Sequence, residues 1–111
     1  MNGEFPQRGD IWWAALDPTI GSEIKKTRPC VIISIDIVNR YRRTVLVVPF
    51  SSAKAENPPI TVKVTCQGKK GVAIVDQLRA VSKDRLKGFI ETLDPHEFQN
   101  IINALLTLVQ T

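Results

Sequence analysis

Two nearly unbroken apolar, β-branched runs constrain this chain more than any other feature: Cys30 to Ile35 and Thr44 to Phe50. A strand with one wet face alternates apolar and polar residues. Runs that do not alternate read as strands buried on both faces. Around them lie weaker strand signals. Ile11 to Leu16 reads as a first strand with Trp12 and Trp13 on opposite faces, and Ile60 to Thr65 alternates, Ile60, Val62 and Val64 against Thr61, Lys63 and Thr65. Val72 to Gln77 reads as a fifth strand, Ala80-Val81 as an extension of the sheet, and Gly88 to Thr92 as the last strand. Pro29 fits a strand start, where its missing N–H is tolerated.

Between these runs the punctuation is polar. Asp17 to Thr27 is an 11-residue loop, Asn39 to Arg43 a basic turn, Ser51 to Pro59 a loop, and Gln67 to Gly71 a turn. Ser82 can cap one helical turn through Leu86. The C-terminus changes period. Asp94-Pro95-His96-Glu97 is a helix start: Asp94 as N-cap, Pro95 at the first helical position, Glu97 completing a capping box. Phe98, Ile101, Ile102, Leu105, Leu108 and Val109 follow as one apolar stripe, each worth roughly 1.5–3 kcal/mol of gross transfer energy if fully buried. Leu106 lies off the stripe and suggests a second packing surface. The expectation is a mainly β fold: a small, strongly twisted antiparallel sheet, closed or nearly closed, with short helices and a C-terminal α-helix over one end.

A chain of 111 residues is one domain by length, taken as 1–111, and its 43% apolar content argues against disorder. The apolar runs are far short of the roughly 18 residues of a membrane span. Met1-Asn2-Gly3-Glu4 lacks the basic and apolar regions of a secretory signal. Cys30 and Cys66 are too few for a disulfide scaffold, and Cys30, inside an apolar run, reads as a buried free thiol. A cytoplasmic protein is the natural inference. Fifteen basic residues against eleven acidic ones leave +4, and the basic residues cluster at Lys25, Lys26 and Arg28, at Arg40, Arg42 and Arg43, at Lys69-Lys70, and from Arg79 to Lys87. Such clusters attract polyphosphates by counterion release, although each is also an ordinary solvated surface.

The single histidine, His96, rules out a His–His acid–base pair and leaves a Ser-His-Asp triad without a plausible member. No His, Cys, Asp and Glu set has metal-ligand spacing, and no glycine loop has the strand-to-helix context of a phosphate cradle. What remains is Arg28, Glu23, Ser51 with Ser52, and the loop lysines Lys25 and Lys26. An arginine fixed at a strand start grips phosphate with a two-pronged fork and neutralises charge developing on a phosphorane. Ser51 lies near it if strands two and three are neighbours, and a loop carboxylate can accept a proton. This set suits RNA cleavage by the substrate's own 2′-hydroxyl. A strand-entry arginine beside a loop glutamate is also, and more often, a structural ion pair. Trp12 and Trp13 can stack on bases, but strand tryptophans more often belong to a core or an interface.

Five segments in order, Arg8-Gly9-Asp10-Ile11-Trp12, Asp17-Pro18-Thr19 through Gly21-Ser22-Glu23, Thr27-Arg28-Pro29, Val48-Pro49-Phe50-Ser51 and Asp76-Gln77-Leu78-Arg79, resemble the successive motifs of the MazF/PemK family of toxin endoribonucleases. The resemblance runs from Arg8 to the C-terminal helix. It implies an SH3-like antiparallel barrel of the PemK/CcdB type, a homodimer, and metal- and cofactor-independent cleavage of single-stranded RNA (mRNA) at short sequences. The products would carry a 2′,3′-cyclic phosphate and a 5′-hydroxyl. It also implies a bacterial, cytoplasmic setting and a cognate MazE-like antitoxin with an acidic tail. Carried over by motif, Arg28, Ser51 and Glu23 are the catalytic residues and Gln77 lies near the substrate groove; Lys25, Lys26, Ser52 and Arg79 are RNA-binding candidates beside them.

Two departures stand out. Ser51 occupies a position that is usually Thr, keeping the hydroxyl without the methyl that restricts its rotamer. Ile24-Lys25-Lys26 follows Glu23 where the family often has Gln and a Gly-containing stretch, which bears on base choice. The loop lysines, the Arg40 to Arg43 turn and the Ser51 to Pro59 loop are the candidates for that choice. Two other readings remain open: a non-catalytic nucleic-acid-binding barrel, and a gyrase-inhibiting toxin of the CcdB type. The latter act through C-terminal residues including a near-terminal Trp, and this sequence ends Leu108-Val109-Gln110-Thr111.

Overall fold

The two doubly apolar runs lie at the centre of one curled sheet. In the computed structural model, residues 5–16 and 27–110 are described. Seven strands, β1 (Asp10–Ala15), β2 (Thr27–Ile32), β3 (Thr44–Ser51), β4 (Thr61–Cys66), β5 (Lys69–Ile74), β6 (Arg79–Ser82) and β7 (Leu86–Thr92), pair antiparallel in the order β4-β5-β3-β2-β1-β7, with β6 also on β3. Two helices, α1 (Asp36–Tyr41) and α2 (Pro95–Val109), and two 3₁₀ turns, Val75–Gln77 and Lys83–Arg85, complete the elements among the described residues. The expected mainly β architecture with a C-terminal helix is thus present, the sheet forming half a barrel.

Alternate side chains of β2 and β3 enter two different cores, which is why neither run alternates. Val31, Val48 and Phe50 join Ile11, Val64, Cys66, Ala73, Val75 and Ile101 beneath α2. Cys30, Ile32, Val45 and Val47 join Ala14 and Val81 on the opposite face, with Trp12, Leu16 and Leu86 packed against them. Trp12 is a core residue: its indole N–H donates to Asp10 Oδ2 at 3.0 Å and its ring meets Phe89 edge-on at 6.0 Å.

Several boundaries differ from the sequence reading. Residues 39–43, read as a turn, are largely the end of α1. This six-residue helix has low intrinsic propensity and is held by tertiary contacts instead. Asn39 is fully buried, its amide donates to Ser34 O at 2.8 Å and Asp36 Oδ1 at 3.3 Å, and its Oδ1 accepts the Ser34 hydroxyl. Ser34 Oγ in turn accepts from Leu46 N at 3.0 Å, tying α1 to β3. The second strand accordingly ends at Ile32, three residues early, and begins at Thr27, so Arg28 lies inside it. Ile35 is exposed.

The 67–71 turn is in fact only Gln67-Gly68, both at positive φ (53° and 75°), the geometry that the right-handed twist of a two-residue hairpin favours. β5 therefore starts at Lys69, and Val75–Gln77, read as strand, is a 3₁₀ turn. Gly71 sits within β5 for a packing reason. A Cβ there would lie 2.5 Å from Ser51 O and 2.6 Å from Phe50 Cζ. The alternation of 60–65 also fails at one end: Thr61 is buried, its hydroxyl accepting from Asn57 N at 2.6 Å.

At the helix start Asp94 caps as expected, accepting from Glu97 N at 3.0 Å. The Glu97 carboxylate leaves the capping box and accepts from Thr65 N at 3.0 Å, fastening α2 to β4. Ile101 and Ala104 are buried and Phe98, Ile102 and Leu105 pack partly, but Leu108 and Val109 are exposed, so the stripe contributes less burial than its length promises. Ser82 caps the Lys83–Arg85 turn, accepting from Asp84 N at 3.2 Å.

Candidate active site

The ladder between β2 and β3 runs Ile32↔Val47, Val31↔Val48, Cys30↔Pro49 and stops there. Beyond it β3 pairs with β5 instead, Phe50↔Ala73 and Ser51↔Val72. Where the strands part, a cleft of about 600 Å³ opens. Thr27 and Arg28 line it from β2, Ser51 and Ser52 from the end of β3, Trp13 from β1, and Gln67 and Lys69 from the β4–β5 hairpin. Continuing the β2–β3 register by two residues puts Ser51 opposite Arg28 on one sheet face. The half-buried guanidinium-bearing residue and the hydroxyl thus share the rim.

The Ser51 hydroxyl is fixed without the methyl of threonine. Its oxygen accepts from Ala53 N at 3.2 Å and Lys54 N at 3.1 Å, an arrangement that locks the side chain through the loop backbone. Both acceptor positions are thereby used, and the O–H proton is left as spare donor capacity.

Beneath Arg28 lies Cys30, fully buried. Burial pushes its thiol from an ordinary value of 9.0 up to about 12, against the downward pull of Arg28 and Arg79. The sulfur is an inert core atom, as its apolar setting suggested. Both guanidinium groups nonetheless act on it, which places Arg28 and Arg79 in one electrostatic neighbourhood. Cys66, on the cleft wall, is also pushed up, by burial and then by Glu91.

Of the sequence candidates, Arg28, Ser51 and Ser52 come together at the cleft. Gln77 and Arg79 are exposed and do not line it; Arg79 stands on β6 opposite Val47, on the Arg28 face of the sheet by register. Glu23, Lys25 and Lys26 lie outside the described residues, as does most of the Asp17 to Thr27 loop. His96 is exposed in the first turn of α2, away from the cleft lining. Of the rest of the lining, Trp13 is one of the two tryptophans read as able to stack on bases, while Gln67 carries no such signal. Trp13, at 37% exposure, presents an aromatic surface there, and Lys69 signalled itself only as part of a lysine pair. Among the described residues no three His, Cys, Asp or Glu side chains gather to hold a metal ion, and no helix is long and apolar enough to cross a membrane.

An arginine and an oriented hydroxyl on a cleft rim, flanked by a lysine and an aromatic ring, can bind a phosphodiester and stabilise charge on it. Comparison with known proteins agrees. The chain is 30% identical over 105 residues to endoribonuclease EndoA of Bacillus subtilis (strain 168), covering 89% of this chain and 90% of that protein. Its fold is similar to a MazE–MazF structure from Deinococcus radiodurans, at a TM-score of 0.81 and 22% identity over 94% of this chain and 95% of that one. An endoribonuclease from a mycobacterial species has the same fold, at a TM-score of 0.75 and 23% identity over 96% and 91% of the two chains. Residues 7–109 match the family model of PemK-like, MazF-like toxins. The chain belongs to the PemK-like, MazF-like toxins of type II toxin–antitoxin systems.

Proposed function

We infer that the chain is an endoribonuclease toxin that cleaves single-stranded RNA, mRNA above all, at short sequences without a metal or cofactor. One observation carries this reading: Arg28 and Ser51 line one cleft, at the point where β2 and β3 part. The likeness to EndoA, an endoribonuclease, supports it. The substrate's 2′-oxygen attacks the adjacent phosphorus, and the bond to the 5′-oxygen breaks. The products are a 2′,3′-cyclic phosphate and a 5′-hydroxyl. Arg28 neutralises the extra negative charge of the phosphorane, and Ser51 donates to a non-bridging oxygen. Glu23 accepts the 2′-hydroxyl proton, and the departing 5′-oxygen is protonated from water or from Arg28. The second source is demanding for a group whose pKa is about 12.5 or higher. Ser52, Gln77, Arg79, Lys25 and Lys26 hold the RNA around this centre.

The rest of the reading follows from family membership. The chain acts as one domain, 1–111, in the bacterial cytoplasm, as a homodimer restrained by a MazE-like antitoxin. The test is cleavage of a mixed-sequence RNA in excess chelator, with product ends identified. Removing one preorganised charge-stabilising group costs about 10²–10³ in rate. Arg28→Ala should show that loss; wild-type cleavage by the variant would overturn the assignment.

A further inference from the structure

At the other end of β3 from Ser51 lies a second cationic site. A recess of about 250 Å³ is lined by Tyr41, Arg42, Arg43, Ser82, Lys83 and Asp84. The β3–β6 register, Thr44↔Ser82, carries on to Arg43 and Lys83, whose backbones are joined by a Lys83 N to Arg43 O hydrogen bond of 2.9 Å. Lys83 Nζ also donates to Arg40 O at 3.3 Å. Arg40, Arg42, Arg43 and the Tyr41 ring are exposed, Tyr41 at 72%. Among the described residues no carboxylate pairs with Arg40, Arg42, Arg43 or Lys83. Arg40 stacks on the Tyr41 ring at 5.5 Å, holding it beside the cations.

An exposed aromatic ring beside cations that no carboxylate pairs among the described residues, with Asp84 the one acidic residue of the lining, is a composition that suits single-stranded nucleic acid: bases stack on the ring and phosphates meet the charges. Along the extended path of β3 the recess lies roughly 23 Å from the cleft of the same chain. Arg79 stands between, at the level of Val47, on the sheet face that register also assigns to Arg28, Arg43 and Lys83. Val45, Val47 and Val81, between them on that face, are buried in the second core, so cleft and recess are two separate cationic sites.

We propose that Tyr41, Arg42, Arg43 and Lys83 form a distal contact site for the single-stranded RNA substrate, engaging sequence that flanks the cleavage site. The proposal rests on the endoribonuclease reading and adds a length dependence to it. Long RNA is favoured over a short oligonucleotide carrying the same cleavage site.

Two RNAs with one common site, one filling only the cleft and one extending beyond it, test this with the wild-type chain, Arg42→Glu/Arg43→Glu, Arg42→Lys/Arg43→Lys and Tyr41→Ala. Binding is measured on versions with a 2′-deoxy sugar at the scissile position, cleavage on the native ones. Loss of two phosphate contacts should lower affinity and kcat/KM for long RNA about tenfold at moderate salt and flatten the salt slope by about 1.4, leaving the short RNA unchanged. The Lys pair should retain most of the long-RNA advantage. Tyr41→Ala should reduce long-RNA binding with little change in salt slope, and it provides a second readout if the Glu pair folds poorly.

Equal loss on both RNAs, no loss on either, or loss only of binding to an acidic antitoxin-like peptide would overturn the proposal. Absence of cleavage by every variant and the wild type would instead sink the endoribonuclease reading, while the 2′-deoxy binding data still judge the distal site.

Discussion

The buried network behind Leu46 and the Ser51 end of β3 are built on opposite principles. Behind Leu46 the buried polar groups are consumed internally. Ser34, Asn39 and Asp36 bond to one another, to Leu46 N, and through Asp36 Oδ1 to Arg8 N at 2.7 Å. No buried side-chain polar atom lacks a partner among the described residues. At Phe50–Ser51 the strand loses β2, gains β5 and leaves a hydroxyl with a spare proton and an arginine lining a cleft. Buried, saturated hydrogen bonds fix structure; part-exposed groups with spare capacity bind something else. Substitutions in the buried Ser34–Asn39 network should therefore change stability, and at the Phe50–Ser51 end activity.

The largest expected effect is the two to three decades of rate lost in Arg28→Ala, with a thermal midpoint close to wild type; a large fall in midpoint would show that the arginine is a structural ion-pair residue after all. Gly71→Ala should blur the comparison, because its methyl group would meet the Ser51 carbonyl and Phe50 ring together. Overpacking of that kind costs about 1–3 kcal/mol, readable in urea denaturation, and should also displace Ser51 and lower activity. Asn39→Ala should cost a similar 1–3 kcal/mol, by stranding the buried Ser34 groups, yet leave the rate per folded molecule intact. Ser51→Ala should reduce kcat/KM by about tenfold, the worth of one net hydrogen bond near 1.4 kcal/mol, whereas Ser51→Thr should stay close to wild type.

The smallest effect near neutrality concerns Cys30. Its folded pKa of about 12 exceeds the ordinary 9.0, so the unfolded chain loses the thiol proton first as pH rises. The stabilisation is whole below pH 9 and is lost between 9 and 12. The urea midpoint should fall over that window more steeply in the wild type than in Cys30→Ala; parallel curves would remove the thiol from the account.

What was legible in sequence was local or periodic. Asp94-Pro95 caps its helix because cap and first turn are neighbours in the chain. The doubly buried β2 and β3 announced themselves by failing to alternate. What was illegible needed a partner distant in sequence. α1 exists through Ser34 and Leu46, Glu97 abandons its capping box for Thr65, and Gly71 is glycine on account of Phe50. The site divides the same way. Arg28 and Ser51 could be paired once their strands were neighbours, while Trp13 and Lys69 reach the cleft only through the sheet's curl and the tight Gln67-Gly68 hairpin.

The Ser51 oxygen accepts from Ala53 N and Lys54 N, and the residue lines the cleft with a hydroxyl proton still to donate. One atom thus couples the amides of the loop to whatever occupies the site. An anion that draws the hydroxyl proton toward itself makes the oxygen a stronger acceptor, and both amide resonances should move downfield together. Those two backbone signals would report cleft occupancy in solution with no label on the ligand, and in Ser51→Ala the report would fall silent.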